Sequence, residues 1–234
     1  MPGKALAMRT ISETCRSLMA KAILVAMGIV VVMTLQVLAV EKENAKSGRF
    51  TDDRDGTEYG WVRIGSQVWI AENLRFRPEA GWKCWNDDEV ECAEKGVFYN
   101  WETARVAVPE GWHLPSDEEW KVLERELGIP EDKLDLVGLD RVNNAGSTIK
   151  KAGFWVTEYN GKPIVFSNET GFSAIPTGFF ALGDFTHSGY AGWWTSTPEG
   201  EKAWVRALSF NDNMLTRAAN DKKFFFPVRC IRDE

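Results

Sequence analysis

The stretch Gly111-Trp112-His113-Leu114-Pro115-Ser116-Asp117-Glu118-Glu119-Trp120 carries the sharpest local signal in the chain. Ser116 followed three residues later by Glu119 has the spacing of a capping box, in which the hydroxyl accepts from the third helical N–H and the carboxylate reaches back to the N-cap N–H. Asp117 and Glu118 place acids where the helix dipole favours them. Trp120, Leu123 and Leu127 then recur at helical spacing. A helix over residues 117–127 follows, ended by Gly128 and turned to a core along one stripe.

Toward the N-terminus, Pro109 ends a short helix expected over residues 102–107, and residues 97–101 before it are strand-like. Residues 58–64 and 67–70 are β-prone and flank Gly65-Ser66, a two-residue turn with Gly where positive φ is wanted. A β-hairpin is predicted there, with Tyr59, Trp61, Trp69 and Ile70 supplying core. Toward the C-terminus the chain is irregular to about Val165. Beyond it, apolar alternation between Gly, Asn and Asp turns predicts strands over residues 172–177, 193–196, 203–210 and 224–231. Helices early and strands late give an α+β class. No Pro-rich or Gly/Ser-rich linker interrupts residues 51–234, so these are expected to share one core, while residues 41–50 (EKENAKSGRF) read as a polar linker.

Residues 22–40 run without a charge, and at about 1.5 Å per residue they make roughly 28 Å of helix, close to a bilayer core. Lys4, Arg9, Arg16 and Lys21 precede the run against Glu13 alone. A positive flank is retained on the cytoplasmic side, which sends the rest outward. Residues 1–40 thus read as a signal peptide cleaved after Ala39, where Val37-Leu38-Ala39 fits a small-residue site, or as an uncleaved membrane anchor helix. The domain is expected outside the cytoplasm, secreted or anchored to the cell envelope, touching the membrane only through this segment. Without residues 1–40 the chain holds 24 Lys plus Arg against 33 Asp plus Glu. That acidic balance disfavours the counterion release on which nucleic-acid binding depends, so no nucleic-acid partner is expected.

Five separated blocks carry a family resemblance. They are Asp53-Arg54-Asp55-Gly56-Thr57-Glu58-Tyr59, the hairpin Ile64 to Leu74, the Gly111 to Trp120 block, Gly192-Trp193-Trp194-Thr195-Ser196-Thr197 and Val228-Arg229-Cys230-Ile231-Arg232. In content and order they resemble the Fibrobacter succinogenes major paralogous domain over nearly all of residues 53–233. The resemblance implies a C-type-lectin-like fold, distantly similar to sulfatase-modifying factor domains. In that fold a terminal strand pair, two short helices and loop-rich antiparallel sheets make a ligand-presenting surface. It implies binding at the cell surface or in the extracellular space and transfers fold more securely than ligand. Sulfatase-modifying relatives use a late pair of cysteines to bind copper, and only Cys230 stands late in this chain, so an enzyme of that type is disfavoured.

Cys15 precedes the apolar run, leaving Cys84, Cys92 and Cys230 in the domain. Cys84 and Cys92 flank a polar loop, and a disulfide closing about nine residues restricts the unfolded chain by roughly 2.5 kcal/mol. Cys230 reads as a small buried hydrophobe on the last strand. Inside the loop, Asn86, Asp87 and Asp88 offer the oxygens that Ca²⁺ takes, although a solvated acidic turn is the favoured reading of them. C-type lectins place a Trp-Asn-Asp string at their sugar-binding calcium site, but late in the chain and with a Glu-Pro-Asn or Gln-Pro-Asp partner that this sequence lacks. No cofactor is expected.

His113 and His187 are the two neutral-pH acid–base candidates. His113 sits in a block that reads as scaffold. His187 lies in a Gly, Asp and Ser loop without the Gly-x-Ser-x-Gly of a nucleophile elbow. The chain is therefore not expected to be an enzyme. Eleven Trp and thirteen Phe are many for this length, and most of them are expected to fill the core of a loop-rich domain. Trp155, Phe179, Phe180, Phe185, Tyr190 and Trp204 neighbour Gly, Asp and Asn, a mixture suited to stacking on sugar faces or packing against a protein. These six are the expected ligand residues, for an extracellular protein or a polysaccharide, with a structural role as the alternative. Of Trp193 and Trp194, adjacent on a strand, one is expected inward and one exposed. The sequence sets no oligomeric state.

Overall fold

Gly65, at φ 58°, makes the turn that joins β2 (Thr57–Ile64) to β3 (Gln67–Ile70), preceded by β1 (Ser47–Asp52). A computed structural model describes residues 46–233; the apolar run of residues 22–40 and its processing site lie outside them. The chain continues through β4 (Trp82–Lys83), a 3-10 turn (Trp85–Asp87), α1 (Glu89–Lys95), β5 (Phe98–Tyr99), α2 (Trp101–Ala104), β6 (Trp112–His113) and α3 (Asp117–Glu126). After α4 (Gly146–Ile149) come the hairpin strands β7 (Glu158–Tyr159) and β8 (Lys162–Pro163), then β9 (Phe179–Ala181) and β10 (Asp184–Thr186). The last elements are β11 (Ala191–Glu199), β12 (Lys202–Leu208), β13 (Leu215–Asp221) and β14 (Ile231–Arg232). This is a mixed α+β domain with few helices and several small antiparallel sheets.

The largest sheet has the order β1-β2-β3-β14-β6. Val62 pairs with Trp69 as the hairpin predicts, and Ile231 at the far end of the chain pairs with both Trp69 and His113. Residues 47–50, read from sequence as linker, are strand instead: Phe50 pairs with Tyr59 and stacks on Trp112 with ring centroids 4.6 Å apart. The polar composition misleads because an edge strand needs few apolar side chains when its backbone is satisfied by a neighbour. Gly48 lets β1 lie across the Trp61 ring, since a Cβ there would stand 2.6 Å from it.

The α3 capping box forms as its spacing requires. Ser116 Oγ accepts from the Glu119 N–H at 3.2 Å, and Glu119 Oε2 accepts from the Ser116 N–H at 2.7 Å. Leu127 is the C-cap rather than the last helical residue. Upstream, the helix expected over 102–107 is displaced to α2, because the Asn100 side chain caps it by accepting from the Thr103 N–H at 2.9 Å.

The second sheet, β11-β12-β13, contains two of the predicted strands and one that periodicity misses. β13 (LTRAAND) lacks alternating bulk and is held by its full register with β12. Residues 172–177 form no strand: Gly171 at φ 72° and Ser173 at φ 56° turn the chain, and Ala174 alone bridges Lys150. Only the end of the predicted 224–231 strand is regular, with Phe225 and Phe226 making single bridges to Phe180 and Tyr99.

Trp69, Trp120, Phe172 and Trp193 form the aromatic centre of the core, with Trp69 and Trp120 centroids 4.8 Å apart. Trp193 and Trp194 are both fully buried, contrary to the one-in, one-out expectation. Trp194 packs on Phe226 at 4.8 Å and donates Nε1–H to the Tyr99 carbonyl at 2.8 Å, so both faces of β11 are covered. Asn73 ties distant segments together: its Oδ1 accepts from Trp193 Nε1 at 3.0 Å and Arg229 Nε at 2.8 Å, while its Nδ2 donates to the Lys95 carbonyl at 2.7 Å.

One face of α3 carries a buried charge network. Glu124, fully buried, accepts from Arg141 Nη1 at 2.8 Å, from Arg141 Nη2 and from Arg206 Nε at 2.6 Å. Asp117 accepts from Arg206 Nη1 at 2.7 Å and from Arg217 Nη2 at 2.9 Å. Burial alone would raise the Asp117 carboxyl, but the Arg217 hydrogen bond and the Arg206 charge outweigh it and hold its pKa at about 2.

Candidate functional site

The Cys84–Cys92 disulfide forms as expected, but it closes a 3-10 turn and the first half of α1 rather than an open polar loop. It sets Trp85 against the β9–β10 hairpin, with the Trp85 and Phe185 centroids 4.7 Å apart. Gly178, at φ +67°, permits this approach: a Cβ there would lie 2.4 Å from the Thr186 carbonyl oxygen and 2.7 Å from the Trp85 ring.

From that contact a ribbon of half-buried rings spreads over the surface. Phe185 pairs across the hairpin with Phe180, their centroids 5.1 Å apart, and Phe180 meets Phe225 edge-on at 5.6 Å. The Lys83 ammonium stands over Phe180 at 4.3 Å. On the neighbouring side, Phe179 stacks on His187 at 5.0 Å, His187 meets Tyr190 at 5.5 Å, and Tyr190 meets Phe210 at 5.9 Å. Phe210 reaches Tyr159 at 5.4 Å.

Leu182 and Gly183 form the two-residue turn of the hairpin, at φ 54° and 97°. Positive φ at both turn positions is the type I′ pattern, where Asn-Gly is the usual choice. Leu182 is a bulky residue in a left-handed conformation, and it is 96% exposed.

Four of the six expected ligand residues, Phe179, Phe180, Phe185 and Tyr190, are thus brought together. Two are not. Trp155 is buried, donating Nε1–H to the Ala174 carbonyl at 2.8 Å and covered by the Lys150 ammonium 4.3 Å from its ring. Trp204 lies half-buried on β12 beneath the Arg217 guanidinium at 3.4 Å, and among the described residues it makes no ring contact with the ribbon. Sequence reading misses Phe210 and Phe225, whose partners lie far along the chain.

Asn86 and Asp87 sit in the 3-10 turn with left-handed φ of 52° and 56°. The Asp88 side chain is occupied as the N-cap of α1, accepting from the Val90 N–H at 2.8 Å. Among the described residues, no three His, Cys, Asp or Glu side chains gather as a metal site. Cys230 is a free, fully buried thiol. His113 is held at both nitrogens, Nδ1 to Asp233 Oδ1 at 2.6 Å and Nε2 to Glu119 Oε1 at 2.7 Å. Partial burial would lower its pKa, but the two carboxylates raise it above the ordinary value. His187 is exposed, with its Nδ1 2.8 Å from Thr186 Oγ1; the Asp184 carboxylate accepts from the Phe185 N–H instead.

Beyond Tyr159 the ribbon meets an open cleft of about 600 Å³. Tyr159, Asn160 and Lys162 of the β7–β8 hairpin form one wall, and Asn211, Asp212 and Asn213 the other. Asn160-Gly161, at φ 50° and 71°, is an Asn-Gly turn of the type I′ kind. Behind the second wall, buried Lys150 donates Nζ–H to the carbonyls of Ser209 at 2.7 Å and Asp212 at 2.5 Å. Burial pushes the pKa of this ammonium down to about 8.

Residues 62–232 match the sequence model of the Fibrobacter succinogenes major domain. No curated protein and no solved structure is matched by the chain.

Proposed function

This chain belongs to the Fibrobacter succinogenes major domain family, and from that premise we propose that it is an extracytoplasmic, non-catalytic binding module. It engages an extracellular protein or polysaccharide through the aromatic and polar surface built on the β9–β10 hairpin. The observation that carries this reading is Leu182. An apolar side chain held 96% exposed in a left-handed turn costs roughly 1–2 kcal/mol that Asn would spare. Placed at the tip of a half-exposed aromatic ribbon, it fits a contact point better than a stability device.

The export reading draws on the apolar run of residues 22–40 with its basic flank and on a disulfide that an oxidising compartment maintains. The C-type-lectin-like assignment draws on a large sheet joined by the first and last strands and a separate three-stranded sheet reached through long irregular segments.

Leu182→Asn tests the reading. Retention of the protein on a panel of insoluble polysaccharides and on intact cells should fall at least tenfold in the variant, while its melting temperature holds or rises. Undiminished retention would remove the hairpin tip from the binding surface. For export, Edman sequencing should return Val40 as the first residue if the segment is cleaved.

A further inference from the structure

Three polar side chains of the 600 Å³ cleft are each anchored at one end and open at the other. Asn144 donates Nδ2–H to Ser147 Oγ at 3.1 Å, which leaves its Oδ1 free. Asn211 Oδ1 accepts from Ser209 Oγ at 2.5 Å, leaving the Nδ2 donors free. Asp212 Oδ1 accepts from the Met214 N–H at 2.9 Å, leaving Oδ2. Asn213 donates Nδ2–H to the Val165 carbonyl at 2.8 Å, which fixes the orientation of its carboxamide. Its Oδ1 is buried without a hydrogen-bond donor among the described residues. Across the cleft, the Tyr159 hydroxyl, the Asn160 carboxamide and the Lys162 ammonium have no hydrogen-bond partner among the described residues.

The floor beneath these groups is fixed. The Gly146 N–H donates to the Asn213 carbonyl at 2.7 Å, the Leu215 N–H donates to Asn143 Oδ1 at 3.0 Å, and Lys150 clamps the 209–212 backbone. Polar groups held in place before a ligand arrives lose little freedom on binding.

The composition of the lining selects the ligand class. Lys162 and Asp212 balance in charge, so the cleft lacks the clustered cations a phosphate or carboxylate ligand needs. Carboxamides that offer both donors and acceptors match hydroxyl groups, which do the same. Tyr159, 38% exposed and braced edge-on by Phe210, offers a ring to an apolar face. The volume lies within the roughly 300–1,000 Å³ of small-ligand sites. We propose that the cleft between the β7–β8 hairpin and the 211–213 segment binds a neutral oligosaccharide, its hydroxyls meeting the free ends of Asn144, Asn160, Asn211 and Asp212. This names a ligand for the binding role proposed above and rests on that role. It uses a different part of the surface from Leu182.

The test is calorimetric titration of the full chain, in a detergent without a sugar headgroup, with cellotetraose, xylotetraose, chitotetraose and mannotetraose. One of these should give saturable heat. Tyr159→Ala and Asn211→Ala should each weaken its affinity at least tenfold. Asn160→Gly, which keeps the turn and removes only the carboxamide, should weaken it without lowering the melting temperature. Glu118→Gln, at an exposed carboxylate on α3, should leave it unchanged. Absence of saturable heat from all four sugars overturns the assignment. So does affinity that survives the three cleft variants; if that affinity is lost in Leu182→Asn, the sugar sits on the hairpin ribbon, and the binding role stands while the cleft proposal fails. A capped neutral hexapeptide that titrates into the cleft in place of the sugars also overturns it.

Discussion

Glu124→Gln removes one charge from the buried network and is expected to destabilise the domain by about 3–5 kcal/mol, the cost of leaving a buried partner charge uncompensated. The magnitude follows from what Glu124 holds. Its two oxygens take both Arg141 terminal nitrogens and Arg206 Nε, and neither guanidinium has measurable solvent exposure. After the change Arg206 keeps Asp117 at 2.7 Å, but Arg141 is left with the carbonyls of Lys133, Leu134 and Leu215 alone. The new amide also sets an N–H donor against guanidinium donors. For a domain of this size, about 2–4 °C per kcal/mol converts the loss to a fall in Tm of about 6–20 °C. Glu118→Gln is the internal control: its carboxylate meets Lys121 on the same helix but is 76% exposed, so its loss should cost no more than about 1 kcal/mol. Urea denaturation followed by Trp fluorescence, with calorimetry in parallel, measures both. A Glu124→Gln loss below about 1 kcal/mol, or equal losses in the two variants, would refute the argument that burial sets the value of these pairs.

Because the folded-state pKa of His113 is raised, its pairing stabilises the fold fully below the unfolded value of about 6.5 and is lost as pH rises through the folded value. Glu119 is shifted the other way: burial would raise it, but the Ser116 and His113 hydrogen bonds lower it, so its contribution is present above about pH 4.5 and lost on acidification. The stability difference between wild type and His113→Gln should therefore peak between about pH 4.5 and 6.5; a difference that grows toward pH 8 would contradict this sign. Reducing the Cys84–Cys92 bond should lower stability by up to about 2.5 kcal/mol, read as a drop in Tm, and an unchanged Tm would show that α1 and its turn are held by packing alone. Under native conditions Cys230 should stay unreactive toward a thiol reagent, since burial pushes its thiol well above the usual range.

The scaffold was legible in the sequence because its signals are local. The capping box needs four consecutive residues and the Gly65 turn two, and both form where their spacing puts them. The Trp-rich blocks were legible as a family signature for a related reason: they converge on the interior. Asn73, Trp193 and Arg229 come from three separate blocks and share one oxygen atom. A signature of that kind encodes how the chain closes and says nothing of the segments between blocks. Those segments were only partly legible. Phe179, Phe180, Phe185 and Tyr190 lie on one surface, as aromatics beside turn residues suggested, but the same rule chose Trp155, whose carbonyl partner at Ala174 no local pattern predicts. The cleft was missed because its two walls lie about fifty residues apart, and the contact that aligns them, Asn213 to the Val165 carbonyl, is a single side-chain hydrogen bond. Residues 47–50 were misread because pairing, and not hydrophobicity, makes an edge strand.

The closing of the large sheet by β14 has a kinetic meaning. Arg229 and Asn73 are 156 positions apart, and β3 gains its second neighbour only when Ile231 arrives. Contacts this distant carry a loop-closure cost before they return any stabilisation, which places the domain among the slow folders, on the millisecond-to-second scale or beyond. Truncation by even a few C-terminal residues removes the strand that joins β3 to β6 and strands the partners of Asn73. The order of synthesis is therefore only part of the order of assembly: β1, β2 and β3 pair with their chain neighbours, but the sheet closes across to β6 only when β14 arrives.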